Sequence, residues 1–132
     1  HIFRKIGTRE VHKDIKEQSK VTLKDFQEFR DAIWDINGVN DKHSAAYPYE
    51  LPERIIKMFT YVGDTVLDPF VGSGTTIKAA RDLNRNSVGI DINQDFLKII
   101  EEKVGLKQKT LTTKEEFEAV YYDEKTKELI PK

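Results

Sequence analysis

Apolar positions in the middle of the chain change spacing from helical to extended and back. Leu51, Ile55, Ile56 and Phe59 fall on one face of a helix, and Pro52 suits its first turn. Tyr61-Val62-Gly63-Asp64 then turns into Thr65-Val66-Leu67, an apolar run rich in β-branched residues that reads as a strand. Asp68, Pro69, Gly72 and Gly74 end that run, and a helix over 75–83 follows with Ile77, Ala79, Ala80 and Leu83 turned to one side. Asn84 to Asn86 closes the crossover, Ser87-Val88-Gly89-Ile90 forms a second short apolar run ending at Asp91, and Phe96, Ile99, Ile100 and Val104 mark another helix over 95–104. Strand, helix, strand of this length is one βαβ unit with parallel strands, which places the chain in the α/β class. Two strands leave the faces and edges of a doubly wound sheet uncovered, so the sheet is expected to be incomplete.

The flanks are less regular. Residues 1–20 interleave Arg4, Lys5, Arg9, Lys13, Lys16 and Lys20 with Glu10, Asp14 and Glu17, and read as a solvated arm. Thr22 with Asp25 opens a helix reaching Ile33, through Leu23, Phe26 and Phe29 or Arg30. After Gly105, Thr112 and Thr113 each precede a Glu by three positions, which predicts a short helix through Tyr122 followed by a charged tail over 125–132.

Chemistry concentrates at the turn after the first strand. Gly72 and Gly74 permit positive φ and close approach of a ligand to the backbone, and the N-H groups of the helix behind them favour an anionic group. A phosphate loop needs Lys followed by Ser or Thr after the second glycine, and Thr75-Thr76 stand there, which argues against a nucleoside triphosphate. A dinucleotide fingerprint needs Gly or Ala where Ile77 stands, which leaves NAD as the alternative ligand. Asp91, about two dozen residues beyond Asp68, ends the next strand where a carboxylate can accept from both hydroxyls of a ribose. Taken alone, Asp91 is a helix N-cap; its register with Asp68 and Gly72 favours the sugar.

Asp68-Pro69-Phe70-Val71-Gly72-Ser73-Gly74-Thr75-Thr76 resembles the cofactor motif of the DNA amino-methyltransferases that modify adenine N6 or cytosine N4, and Gly89-Ile90-Asp91 resembles the acid of their second strand. Lys42-His43-Ser44-Ala45-Ala46-Tyr47-Pro48-Tyr49-Glu50-Leu51-Pro52 is similar to a further family segment, with Ser44 where Pro is usual. Trp34-Asp35-Ile36 looks like the step joining the family's target-recognition region to its cofactor half. The resemblance spans about half the chain, from Trp34 to Val104. It implies a Rossmann-like fold and S-adenosylmethionine as cofactor, with Asp68, Phe70, Gly72, Ser73, Gly74 and Thr75 around the methionine and sugar. It also implies Asp91 on the ribose, Ile92 beside the adenine, and His43 and Ser44 near the methionine end. A lone loop histidine is otherwise structural or exposed, and Trp34 is otherwise a core or lid aromatic. The domain division that follows is residues 1–36 as the end of the recognition or linker region, 37–104 as the cofactor half and 105–132 as a helical extension.

The family's catalytic step uses Asp, Asn or Ser followed by Pro-Pro and an aromatic. The prolines here are Pro48, Pro52, Pro69 and Pro131, none adjacent, so no catalytic residue is assigned. With His1 in first place and Met58 its only methionine, the chain is expected to be a fragment, a processed product or one half of a split enzyme. The expected partners are double-stranded DNA and an N-terminal half carrying catalysis. The rival readings are a non-catalytic module that binds the cofactor or a protein partner, and a methyltransferase acting on RNA or a small molecule. Composition adds limits. Lys and Arg total 22 against 23 Asp and Glu, so bulk charge lends no support to DNA binding. No cysteine and no cluster among the three histidines leaves no expected metal site, and no apolar run suits a membrane span; a cytoplasmic location is expected.

Overall fold

The computed structural model describes residues 7–31, 33–36, 38, 47–105, 118–123, 125 and 128–131. In chain order the elements are α1 (Lys13–Gln18), α2 (Leu23–Phe29), α3 (Glu50–Phe59), β1 (Thr65–Asp68), α4 (Thr75–Asp82), β2 (Asn86–Gly89), α5 (Phe96–Lys103), β3 (Val120–Asp123) and β4 (Glu128–Pro131). Among these residues no helix is long and apolar enough to cross a membrane.

β1 and β2 pair in parallel, with Thr65 opposite Asn86 and Asp68 opposite Gly89. Alternation along the strands sends Val66 toward α4, where it packs on Ile56, Ala79 and Ala80. The two alanines let α3 and α4 lie close together over the sheet. A second cluster of Val71, Ile100 and Val104, with Ile77 and Phe96 against it, seats α5 beside the glycine turn. Gly89 is the tight point of this layer, because a Cβ there would stand 2.7 Å from Ile77 Cδ1 and 2.8 Å from Val71 Cγ2. Gly89→Ala should therefore cost about 1–3 kcal/mol of stability through overpacking, read as a lower urea midpoint at unchanged slope.

Among the described residues, the opposite face is largely uncovered. Leu67 and Val88 are register partners there, yet 62% and 49% exposed. Apolar side chains of a parallel sheet are normally covered on both faces, so the sheet is incomplete as its two-strand pattern predicts.

Three expectations change. The N-terminal arm contains α1 and is tied to the body, with Arg9 Nη1 donating to Asp64 Oδ1 at 2.5 Å and Val62 N donating to Ser19 Oγ at 2.8 Å. These contacts place it at the start of β1, away from the glycine turn. Thr22 caps α2 as expected, accepting from Asp25 N at 3.1 Å. The helix nevertheless stops at Phe29 instead of Ile33: the Trp34 indole N-H donates to Phe29 O at 3.1 Å, and the Arg54 guanidinium lies 5.4 Å from the Phe29 ring and 5.5 Å from that of Trp34. That stacked cation makes Trp34 a docking aromatic for α3. At the other end, the predicted helix through Tyr122 gives way to strand β3, antiparallel to β4, so part of the expected charged tail is also strand. Val120-Tyr121-Tyr122 is β-branched and aromatic, and in these residues strand preference outweighs the upstream capping signal. That signal, over 112–117, lies outside the described residues.

Candidate ligand-binding site

The site is built where β1 stops. Ile90 N donates to Asp68 O at 2.9 Å and Val71 N donates to Ile90 O at 3.0 Å, so the parallel ladder runs past the strand ends and stitches the glycine turn to the segment after β2. Gly72 has φ 49° and Gly74 φ 81°, the left-handed conformations that the sequence implies. Gly74 is the N-cap of α4 and brings no side chain to accept from the helix's first N-H groups, which remain a donor surface. The two glycines do different work. A Cβ on Gly72 would meet nothing within 4 Å, whereas one on Gly74 would lie 2.8 Å from Ile100 Cγ1. Gly74 serves the packing of α5 as well as the turn, and Gly72 borders open space.

Asp91 closes the corner. Its Oδ2 accepts from Gly72 N and its Oδ1 from Asn93 N, each at 2.8 Å. Asp91 thus ties the glycine turn and closes an Asx turn onto Asn93; it is not the helix N-cap that its sequence position alone suggests, because α5 starts at Phe96 with Asp95 as its N-cap. A carboxylate has about four acceptor directions, two per oxygen, so two backbone bonds leave one direction on each oxygen. That arrangement suits two neighbouring hydroxyls.

Asp68 is more heavily engaged. Oδ1 accepts from Phe70 N at 3.0 Å, while Oδ2 accepts from Thr76 Oγ1 at 2.5 Å and from the Tyr47 hydroxyl at 3.1 Å. Only one direction, on Oδ1, is left by the same reckoning. The ion pairs of the described residues go to other carboxylates, including Asp64, Glu50, Glu53 and Asp82. Asp68 is held by neutral donors.

Phe70 and Ile92 flank the turn, 84% and 100% exposed, as two large apolar faces beside the corner. Ser73 and Thr75 are buried, and their hydroxyls accept from Lys103 Nζ at 2.8 and 3.3 Å. Their side chains turn toward α5, so what they offer the open side of the turn is backbone. His43 and Ser44 lie outside the described residues.

Two residues of the site carry no motif signal of their own. Lys103 follows the apolar stripe of α5 and reads as solvated face, and Tyr47 is one aromatic within the Lys42–Pro52 segment. Burial lifts the Tyr47 phenol above its ordinary value and the Asp68 carboxylate beside it adds to the rise, so the hydroxyl keeps its proton through neutral pH.

A parallel βαβ corner, a glycine turn capping the following helix and an acid at the end of the second strand define a Rossmann-like nucleoside-binding fold. The chain belongs to the N6/N4 DNA methylase family, whose model, described as DNA methylase, matches residues 3–102. Type II methyltransferase M.MjaI of Methanocaldococcus jannaschii is 44% identical over 118 residues, covering 83% of this chain and 39% of its own length. Type II methyltransferase M.MthZI of Methanothermobacter thermautotrophicus is 36% identical over 117 residues, covering 79% and 33%. A solved structure from Thermus thermophilus, described as a putative DNA modification methylase complexed with S-adenosyl-L-methionine, superposes with a TM-score of 0.68 at 36% identity over 76% of this chain and 40% of that one. The chain therefore spans about two fifths or less of the length of these proteins.

Proposed function

We propose that this chain is the cofactor-binding half of a DNA amino-methyltransferase, holding S-adenosylmethionine for transfer to an adenine N6 or cytosine N4. The observation that carries this reading is the Asp91 carboxylate, bonded to Gly72 N yet keeping an acceptor direction on each oxygen beside an open glycine turn. S-adenosylmethionine fits this donor and acceptor set. Asp91 would accept from the ribose hydroxyls, Ile92 and Phe70 would lie against the adenine and the sugar edge, and the backbone N-H groups of Ser73 and Thr75 would meet the methionine carboxylate, those of Gly72 and Gly74 being taken by Asp91 Oδ2 and Val71 O. Asp68, a carboxylate served by neutral donors with one direction left on Oδ1, suits the cationic amino group at that end. His43 and Ser44 are proposed to close the methionine side.

When bound, the cofactor supplies an electrophilic methyl group. In this reading the described residues bind and orient, and proton transfer and stacking on the target base are assigned to none of them. Catalysis is assigned to an N-terminal half that also provides the remaining strands, and the exposed Leu67 and Val88 face is the surface its next layer would cover. Double-stranded DNA and a flipped base are the substrate of that assembly, in the cytoplasm.

The test is calorimetry. Saturable binding of S-adenosylmethionine, with none for NAD, is the expected result, first for the chain alone and then with the catalytic half supplied. NAD binding, or no binding of S-adenosylmethionine to the assembled enzyme, would sink the proposal.

A further inference from the structure

Tyr47 belongs to no strand or helix, yet its hydroxyl sits at the centre of the site. It lies against Thr76 Oγ1 and 3.1 Å from Asp68 Oδ2, while Thr76 Oγ1 donates to the same Oδ2 at 2.5 Å. Tyr47 is 21 residues from Asp68 and 29 from Thr76, so this contact pins the segment before α3 onto the end of β1 and the first turn of α4. The hydroxyls carry one proton each and make three contacts, so the phenol proton is shared between Thr76 and Asp68 while the Thr76 proton goes to Asp68. Such chains polarise along their length and hold their last acceptor more firmly than a single bond does.

A purely structural tie would have been satisfied by a Phe ring in the same half-buried place. The hydroxyl adds direction: both acceptor sites of Oδ2 are taken, Phe70 N takes one of Oδ1, and the carboxylate is fixed in plane with the last direction of Oδ1 remaining. We propose that Tyr47 is a positioning residue that sets Asp68 to receive the amino-acid end of the cofactor, both directly and through Thr76. The inference rests on the proposal that S-adenosylmethionine binds at this turn.

Three ligands separate positioning from general support. S-adenosylmethionine and S-adenosylhomocysteine carry the amino-acid end; 5′-methylthioadenosine keeps the nucleoside and lacks it. In calorimetric titrations of the assembled methyltransferase, Tyr47→Phe should weaken the first two by about tenfold, the loss of roughly one bond in a charged network, and the third by less than about twofold. Thr76→Val, which breaks the chain at its middle, should give the same selectivity. In an Asp68→Asn background, Tyr47→Phe should then cost less than about twofold, because the group it directs is gone. Equal weakening of all three ligands, or no change in any, would overturn the inference while leaving the cofactor reading intact. Failure of the unsubstituted enzyme to bind any of the three would overturn both.

Discussion

Asp91→Ala should lower the affinity for S-adenosylmethionine by at least about 100-fold, the largest loss expected from a single side chain that no core contact needs. Two hydrogen bonds from hydroxyls to a charged acceptor are worth about 1.5–3 kcal/mol each, and each 1.4 kcal/mol is a factor of ten. Part of the loss comes from the turn itself. Asp91 Oδ2 accepts from Gly72 N and Oδ1 from Asn93 N, so its removal frees both ends of the corner before any ligand arrives. The two contributions separate with a 2′,3′-dideoxy cofactor analogue. If the carboxylate acts on the sugar, the analogue binds the unsubstituted protein weakly and loses little more on Asp91→Ala. If Asp91 acts only by holding the turn, the analogue suffers the same fold-loss as the full cofactor, and the ribose assignment fails. Asp91→Asn, with one carbonyl oxygen in place of two equivalent acceptors, should fall between.

The glycine corner was legible because its signals are local. Thr65 to Leu67 pairs with the segment before Asp91 as the pattern implied, and Gly72 and Gly74 take the positive φ that two glycines at a strand end announce. Strand, turn and helix periods are written into neighbouring residues, so the β1–α4–β2–α5 order follows from a short window. The contacts that escaped are long in sequence. Nothing near Arg9 points to Asp64, nor near Ser19 to Val62, so an arm of alternating charge looks solvated until the body is present to receive it. Tyr47 is the same case within the site: its neighbours show a loop before a helix, and its partners lie across the crossover. At the C-terminal end the capping pattern competed with Val120-Tyr121-Tyr122, and pairing with Glu128–Pro131 decided for strand.

Gly74→Ala should do damage of a different kind, chiefly to stability. At φ 81° a side chain is strained by about 1–2 kcal/mol, and the new Cβ would stand 2.8 Å from Ile100 Cγ1, which adds about 1–3 kcal/mol of overpacking. The clash meets a buried side chain: Ile100 packs with Val71 and Val104 and cannot swing clear without opening that cluster. A total of about 2–5 kcal/mol is a large share of an ordinary domain's stability, so thermal unfolding should drop by many degrees. Gly72→Ala is the contrasting substitution. Its φ of 49° lies in the same region and carries similar strain, but nothing stands within 4 Å of its Cβ. Its stability loss should stay near about 1–2 kcal/mol, while the added methyl occupies the space beside Asp91 that the ligand needs. Thermal melts paired with cofactor titrations read both effects at once. Gly74→Ala should lose mainly in the melt and regain part of that loss in an Ile100→Ala background, since the two sites share one contact and cannot be additive. Gly72→Ala should lose mainly in the titration. A Gly72→Ala protein that binds as tightly as the original would place the ligand elsewhere than against this turn.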